Sequence, residues 1–97
     1  DYEGRTAMSV ACSWGHADVV VLLLKRGAGP SSPDSWGVTP LMEASFGDEE
    51  DGSDHVAVLR LLIKARVPVD ARDDHGCTAL LFACEYGQTE RARVLLV

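Results

Sequence analysis

Gly37-Val38-Thr39-Pro40-Leu41 decides the fold, because the same phrase occurs three times in this chain. The other copies are Gly4-Arg5-Thr6-Ala7-Met8 and Gly76-Cys77-Thr78-Ala79-Leu80, so the three glycines are 33 and 39 residues apart. A glycine suits a tight turn with positive φ, a threonine two positions later can cap a helix, and proline is tolerated in the first helical turn. Each copy therefore predicts a turn that leads into a helix.

Two further phrases repeat in phase with the first. Ala11-Cys12-Ser13-Trp14-Gly15 has counterparts at 44–47 and 83–87, and Leu22-Leu23-Leu24-Lys25 has counterparts at 61–64 and 94–97. The small residue and the closing glycine predict a short, closely packed helix, and the apolar run predicts a second helix with a buried stripe. We therefore expect helices at 7–14, 18–26, 40–46, 54–65, 79–86 and 89–97, and extended fingers at 28–38 and 67–77.

A period near 33 residues that opens with Gly-x-Thr-Pro-Leu resembles the ankyrin repeat family, and the resemblance covers essentially the whole chain. It implies an all-α repeat solenoid of helix-turn-helix pairs with β-hairpin fingers. Three repeats are expected at 1–32, 33–72 and 73–97, the last shortened at its C-terminal end. Arg66 stands where the first repeat has Gly27, so we expect the second helix pair to end less cleanly.

The charge of the chain is unevenly distributed. The net charge is −6, and five of the fifteen acidic residues lie in an insert at 48–54, which leaves ten acidic against nine basic residues elsewhere. Such a chain has no electrostatic footprint for DNA or RNA. The longest apolar run, at 19–24, is far too short for membrane insertion. The insert itself has two interpretations: a solvated surface loop, or a guide that attracts basic peptides.

The resemblance also implies a binding surface made of finger tips and the exposed side of the first helices. The matching positions are Tyr2, Glu3, Arg5, Ser13, Trp14, Trp36, Val38, Glu43, Phe46, His75, Glu85 and Tyr86. Five of the six aromatic residues lie on this surface, and only Phe82 falls on a core position. Trp14, Phe46 and Tyr86 are expected to be equivalents that line up along one face. Such rings anchor partners, unless each one packs on its neighbouring finger and stiffens the stack.

Nothing in the sequence predicts an enzyme, a metal site or a cofactor. No Ser/His/Asp or Cys/His arrangement has the spacing for nucleophilic chemistry, and no Gly-rich loop precedes a helix as a phosphate site. His75, Cys77 and Cys84 do not supply the four converging donors of a zinc site. Cys12 and Cys84 are predicted to be small core residues. Three cysteines do not suggest a disulfide framework, so we expect an intracellular protein, cytoplasmic or nuclear.

The predicted function is a scaffold or adaptor that binds a protein or peptide partner, with basic peptides favoured by the insert. Two alternatives stay open. One is a structural spacer or autoinhibitory segment of a larger multidomain protein. The other is a reader of methylated lysine in histone tails, with rings and Glu43 as the cage. The apolar C-terminal edge at 94–97 favours either further repeats in a longer array or self-association.

Overall fold

Six helices in three helix-turn-helix pairs form this structure, a computed structural model that describes residues 5–96. The helices are α1 (Ala7–Trp14), α2 (Ala17–Lys25), α3 (Pro40–Phe46), α4 (His55–Lys64), α5 (Ala79–Glu85) and α6 (Thr89–Leu95). The first helices α1, α3 and α5 pack side by side, and the second helices α2, α4 and α6 form a layer beside them. The predicted all-α repeat solenoid is confirmed, and each predicted helix lies within two residues of its observed bounds.

A threonine caps the N-terminus of the first helix in each pair, as the repeated phrase predicts. The hydroxyl oxygens of Thr6, Thr39 and Thr78 each accept a hydrogen bond from the backbone N–H three residues later, at 3.1, 3.3 and 3.3 Å. A cap of this kind stabilises a helix by about 1 kcal/mol, because it satisfies an N–H group that has no partner inside the helix. The three caps therefore set where each repeat enters its first helix.

The fingers are held by aspartate-centred turns. Asp34 Oδ1 accepts hydrogen bonds from the N–H groups of Trp36 and Val38, at 2.8 and 2.9 Å. Asp73 repeats this arrangement with His75 and Cys77. Within residues 5–96 no residue lies in a β-strand, so the fingers expected as β-hairpins are present as turns. The prolines at 30, 33 and 68 contribute to this, because proline has no N–H group to donate to a strand ladder.

The core lies between the layers of stacked helices. Its largest fully buried side chains include Met8, Leu41, Met42, Leu59 and Leu62. These residues come from three helices of the first two repeats, α1, α3 and α4, and belong to one hydrophobic cluster. Each helix pair therefore buries its apolar surface mainly against the neighbouring pair, as expected for a repeat stack.

One prediction about the third helix pair, α5 and α6, is wrong. Cys12 is buried as expected, but Cys84, also predicted for the core, is exposed. Cys12 lies in α1, which packs on α3 and α4, whereas no helix within residues 5–96 follows the pair α5 and α6. Of the apolar C-terminal edge, Val94 is buried, Leu95 is partly buried and Leu96 is exposed. Val97 lies outside the described residues.

Arg66 follows the second helix pair in a strained conformation, as its replacement of glycine suggests. Its φ of 67° makes it the one residue other than glycine with positive φ among residues 5–96. After α2, the N–H of Ala28 donates to the Leu23 carbonyl at 3.0 Å. The matching bond after α4, from Val67 to Leu62, is longer at 3.4 Å. The second helix pair therefore closes less tightly than the first.

We expect Arg66→Gly to stabilise the protein by about 1 kcal/mol, because glycine adopts positive φ without the steric cost that other residues bear. Urea denaturation monitored by circular dichroism measures this change in the free energy of unfolding. Arg66→Lys is the matched control, since it keeps the Cβ atom and the charge and should leave stability unchanged. Equal stabilities for the Gly and Lys variants would show that the conformation stores no strain.

Candidate partner-binding surface

A groove of about 390 Å³ opens between the first helices and the finger of the second repeat. We call it the concave groove, and it is lined by Arg5, Ser13, Asp34, Trp36, Val38, Glu43 and Phe46. Six of these seven residues are among the twelve predicted to bind a partner. The seventh, Asp34, is not among the twelve, although its position two residues before Trp36 is a signal for a role in this groove. The structure thus gathers half of the predicted set in one place.

Trp36 presents an exposed ring on a fixed backbone at this groove. The residue is 56% exposed. Its N–H donates to Asp34 Oδ1 at 2.8 Å, and its carbonyl accepts from the N–H of Asp74, on the next finger, at 2.9 Å. A ring whose backbone is already ordered loses less entropy when it binds a partner. Trp36 is therefore the best-placed apolar anchor of the concave groove.

Glu43 is not the exposed negative charge that the sequence suggested. Its residue surface is only 5% exposed, and its Oε1 lies 3.4 Å from Nη2 of Arg5. Burial raises the pKa of Glu43, and the positive charge of Arg5 opposes that shift. Arg5 Nε is buried without a hydrogen-bond partner. Asp34 adds a second carboxylate, so the groove has two negative charges and one positive charge when Arg5, Asp34 and Glu43 are all ionised.

The expected row of three equivalent rings is wrong. Because α3 is continuous from Pro40 to Phe46, positions in it can be counted from Gly37. Phe46 is nine residues after this glycine, which is the position of Ser13 and Glu85 in the other repeats, whereas Trp14 and Tyr86 are ten residues after theirs. The one-residue shortening before Gly47 thus moves Phe46 around the helix.

The aromatic side chains are arranged in separate groups. The ring of Phe46 lies 4.9 Å from that of Phe82 and 6.0 Å from that of Tyr86, measured between centroids. Phe82, expected in the core, is partly buried against it. Trp14 is about half exposed and does not line the concave groove. Phe46 therefore connects the groove to Tyr86, while Trp14 stands apart.

Three further predicted residues lie elsewhere on the protein surface. Tyr86, Glu85 and His75 are exposed. His75 lies at the tip of the second finger, where its N–H donates to Asp73 Oδ1. Tyr2 and Glu3 lie outside the described residues. Tyr86, Glu85 and His75 do not line the concave groove.

The acidic insert is an ordered loop that is tied to the first repeat at both ends. A Cβ atom at Gly47 would overlap the carbonyl oxygen of Ser13, so only glycine fits there. At the other end, the N–H of Asp54 donates to the Gly15 carbonyl at 2.8 Å, and Asp54 Oδ1 caps α4. Between them, Glu50 and Ser53 exchange two hydrogen bonds of 3.0 Å. The carboxylates Asp48, Glu49, Glu50, Asp51 and Asp54 are exposed.

The sequence does not predict two buried basic residues, Arg91 and His55, that lie near the insert. Arg91 and His55 are each 3% exposed. Arg91 Nη1 donates to the carbonyls of Ala44 and Gly47, at 3.2 and 2.7 Å, and so satisfies the C-terminal end of α3. Burial lowers the pKa of Arg91, and the charges of the insert oppose that shift. One feature of the sequence could have indicated the burial of Arg91: it occupies the position in α6 that Val19 has in the first repeat, where an apolar residue is expected.

Comparison with known proteins agrees with this architecture. A family model described as "Ankyrin repeats (many copies)" matches residues 49–96, and one described as "Ankyrin repeat" matches residues 3–35. The chain belongs to the ankyrin repeat family. Ankyrin repeats generally mediate protein–protein interaction, and the family is generally a non-enzymatic interaction module.

Several curated ankyrin proteins resemble this chain. Ankyrin repeat domain-containing protein 63 of Mus musculus is 36% identical over 91 residues, which cover 90% of this chain and 22% of that protein. Ankyrin repeat and KH domain-containing protein mask-1 of Caenorhabditis elegans is 35% identical, with 95% of this chain and 5% of that protein covered. Rabankyrin-5 of Mus musculus is 30% identical, with 97% and 8% covered. The ankyrin stack therefore spans less than a quarter of the length of each of these relatives.

Two negative findings apply to the part of the chain that the structure describes. Across residues 5–96, no helix has the length and apolar character needed to cross a bilayer. In the same range, no group of three or more His, Cys, Asp or Glu side chains is arranged to hold a metal ion.

The burial of His55 predicts how the stability of this ankyrin stack depends on pH. Burial is the largest cause that lowers the pKa of His55 below 6.5, and the charge of Arg91 adds to it. The hydrogen bond between Nε2 and the Ser13 carbonyl, together with the charges of Glu49 and Asp54, opposes the shift. The unfolded chain therefore binds a proton more readily than the folded protein, so stability falls as pH drops below about 6.5.

Urea denaturation at pH 7.5 and pH 5.5 tests this expectation. His55→Gln is the matched variant, because its amide can donate to the Ser13 carbonyl but does not titrate. We expect the wild type to lose more stability than the variant between the two pH values. Glu43, whose raised pKa acts in the opposite direction, is present in both proteins and cancels in the comparison. Identical losses would show that His55 does not control the pH dependence.

Proposed function

We propose that this ankyrin stack is a scaffold or adaptor module that binds an extended segment of a protein partner in the concave groove. The observation that carries the proposal is Trp36, whose ring is largely exposed while its backbone is held at both N–H and carbonyl. Exposed aromatic rings in a preformed groove are the usual anchors of protein interfaces, because they bury a large apolar area at low entropic cost.

The chemistry of the groove favours a partner segment with apolar and basic side chains. Trp36, Val38 and Phe46 supply the apolar contacts. Asp34 supplies a carboxylate whose Oδ1 already serves the finger turn, and Glu43 is shared with Arg5. Since the groove has an excess negative charge, a lysine or arginine beside an apolar residue matches it better than an acidic residue does.

The ordered insert supports the same preference at longer range. Its five carboxylates are exposed. One end is hydrogen-bonded to Gly15 of the first repeat, and the other lies against Ser13, which also lines the concave groove. A fixed cluster of negative charge accelerates the association of a basic partner, and this effect weakens as salt is added.

The rest of the proposal follows from the family and from the cysteines. The module is not proposed as an enzyme, and no cofactor or nucleic acid enters its function. All three cysteines are free, which supports an intracellular location, cytoplasmic or nuclear. Membership in a longer repeat array stays a prediction, as do the repeat boundaries at 32 and 72.

A second candidate is recognition of a methylated lysine. It is favoured by one specific observation, namely that Trp36, Asp34 and Glu43 line the same groove. A methylated ammonium group is attracted both to an aromatic face and to carboxylates. The pairing of Glu43 with Arg5 weighs against this candidate, because the ligand would have to share that carboxylate.

A library of extended peptides, each with a lysine flanked by apolar residues, tests both candidates when every peptide is present in unmethylated and methylated form. We expect Trp36→Ala to weaken binding of the selected peptides at least about tenfold, as for an interface hot spot. Leu22→Ala is the matched control, since Leu22 is similarly exposed but lies on α2, outside the groove. Circular dichroism verifies that both variants are folded.

The outcomes separate the alternatives. Tighter binding of methylated peptides would favour the lysine reader, and equal binding of both forms would exclude it. If folded Trp36→Ala retains full binding, the concave groove is not the site. Failure of the wild type to bind any peptide would favour a structural spacer or an autoinhibitory segment.

A variant of the insert tests the electrostatic contribution separately. Asp48→Asn, Glu49→Gln, Glu50→Gln and Asp51→Asn together remove four negative charges without changing the loop length. We expect stopped-flow measurements to show slower association of a basic peptide at low salt, with a dissociation rate close to that of the wild type. An unchanged association rate across the salt series would identify the insert as a solvated loop without a role in binding.

A further inference from the structure

The outer side of the stack carries a second groove, between α4 and α6. It has a volume of about 300 Å³ and is lined by Arg60, Ile63, Lys64 and Val94. We call it the outer groove. Its residues belong to the second helices, whereas the concave groove is built from the first helices, the segment before α1 and the finger of the second repeat.

An apolar floor and two cations make up the outer groove. Val94 is buried in the hydrophobic core, and Ile63 is partly buried against it. Arg60 and Lys64 are exposed and lie four residues apart, on the same face of α4. The groove therefore offers apolar contact directly beside two positive charges.

Neither cation has an ion-pair partner in the part of the chain that the structure describes. The ion pairs among residues 5–96 are Arg5–Glu43 and Arg93–Glu90, although the chain has fifteen acidic residues. Two like charges at this spacing destabilise a helix by about 0.2–0.5 kcal/mol. The helix dipole favours Lys64 in the last turn of α4, but its effect does not reach Arg60. The stability of α4 therefore explains a positive charge at Lys64 but not at Arg60.

We infer that the outer groove is a docking site for a short acidic segment of a protein partner. Carboxylates of that segment pair with Arg60 and Lys64, and one apolar side chain packs against Ile63 and Val94. A volume of about 300 Å³ is at the lower end of the range for ligand pockets, which suits a single large side chain. The two charges select an acidic partner, and the apolar floor selects a segment that also carries such a residue.

A second copy of this chain matches the groove less well. Its acidic insert is the obvious source of carboxylates, but the stretch from Asp48 to Asp54 contains no apolar side chain that can reach the floor. The insert of the same copy lies at the N-terminal end of α4, whereas Lys64 lies at the C-terminal end.

Nucleic acids and anionic membranes also match the groove less well, because their negative charge extends over long distances. The ten residues of α4 span only about 15 Å, and exposed carboxylates of the insert lie at the far end of that helix. Screening at physiological salt acts over about 8 Å, so an extended polyanion would be repelled there while a short segment would not.

This inference does not depend on the proposed function of the concave groove. The two grooves are on different helices and prefer partners of opposite charge. One ankyrin stack could therefore hold a basic segment and an acidic segment at the same time, which would make it a two-sided scaffold.

A fluorescent peptide in which glutamates flank a single leucine tests the inference, with binding to the whole chain followed by anisotropy. We expect the double variant Arg60→Gln, Lys64→Gln to bind it about tenfold more weakly, because two exposed charge pairs are lost. Lys25→Gln with Arg26→Gln is the matched control. It removes the same charge from exposed positions at the end of α2 and should bind like the wild type. A peptide with serine in place of leucine should also bind more weakly.

Several results would overturn the inference, provided that circular dichroism shows all variants folded. One is equal weakening in the two double variants, which would indicate long-range attraction without a site. Others are the absence of peptide binding by the wild type, and binding of duplex DNA or anionic vesicles as tightly as the peptide. Self-association that is abolished by Arg60→Gln with Lys64→Gln would identify a second copy as the occupant instead.

Discussion

Burial between neighbouring helix pairs is the constraint on which the rest of this molecule depends. A single pair has one apolar face and no layer of its own to cover it, so the side chains of α1 and α3 reach full burial only when the next pair packs against them. Met8 and Cys12 in α1, and Leu59 and Leu62 in α4, belong to one continuous cluster. At the face of α5 and α6 that no other helix within residues 5–96 covers, Cys84 and Leu96 are exposed.

Polar contacts between repeats then give the stack a defined geometry. Several carbonyl groups of one repeat, near the ends of its first helix or on its finger, accept hydrogen bonds from the next repeat. His55 donates to Ser13, Asp54 to Gly15, Asp74 to Trp36 and Arg91 to Gly47. A buried carbonyl without a partner is costly, so these bonds favour one relative position of adjacent repeats. The concave groove inherits its shape from them, since Ser13 and Trp36 both lie in its wall and both take part in such a bond.

The distribution of charge gives the two sides of the stack different characters. The second helices carry acidic residues at or near their N-terminal ends and basic residues near their C-terminal ends, as the helix dipole favours. The insert strengthens the acidic end on the side of the concave groove, whereas Arg60 and Lys64 create a positive strip on the outer side. The net charge of the protein is −6. The positive strip can still attract an acidic partner, because physiological salt screens the electrostatic field of the insert within a short distance.

The sequence by itself determined the features that depend on residues a few positions apart. The threonine caps, the turns before the first helices and the helix bounds all depend on residues within three to five positions of one another, so the repeated phrases predicted them. Only the tertiary structure decided which side chains are accessible. Glu43 is buried beside Arg5, which lies 38 residues earlier in the chain. Phe46 packs near Phe82 and Tyr86, and the segment from Gly37 to Gly47 that contains it is one residue shorter than its counterparts. Arg91 is buried because the end of α3 supplies carbonyls 44 and 47 residues earlier in the chain. Burial depends on what the fold places beside a residue, and no local pattern contains that information.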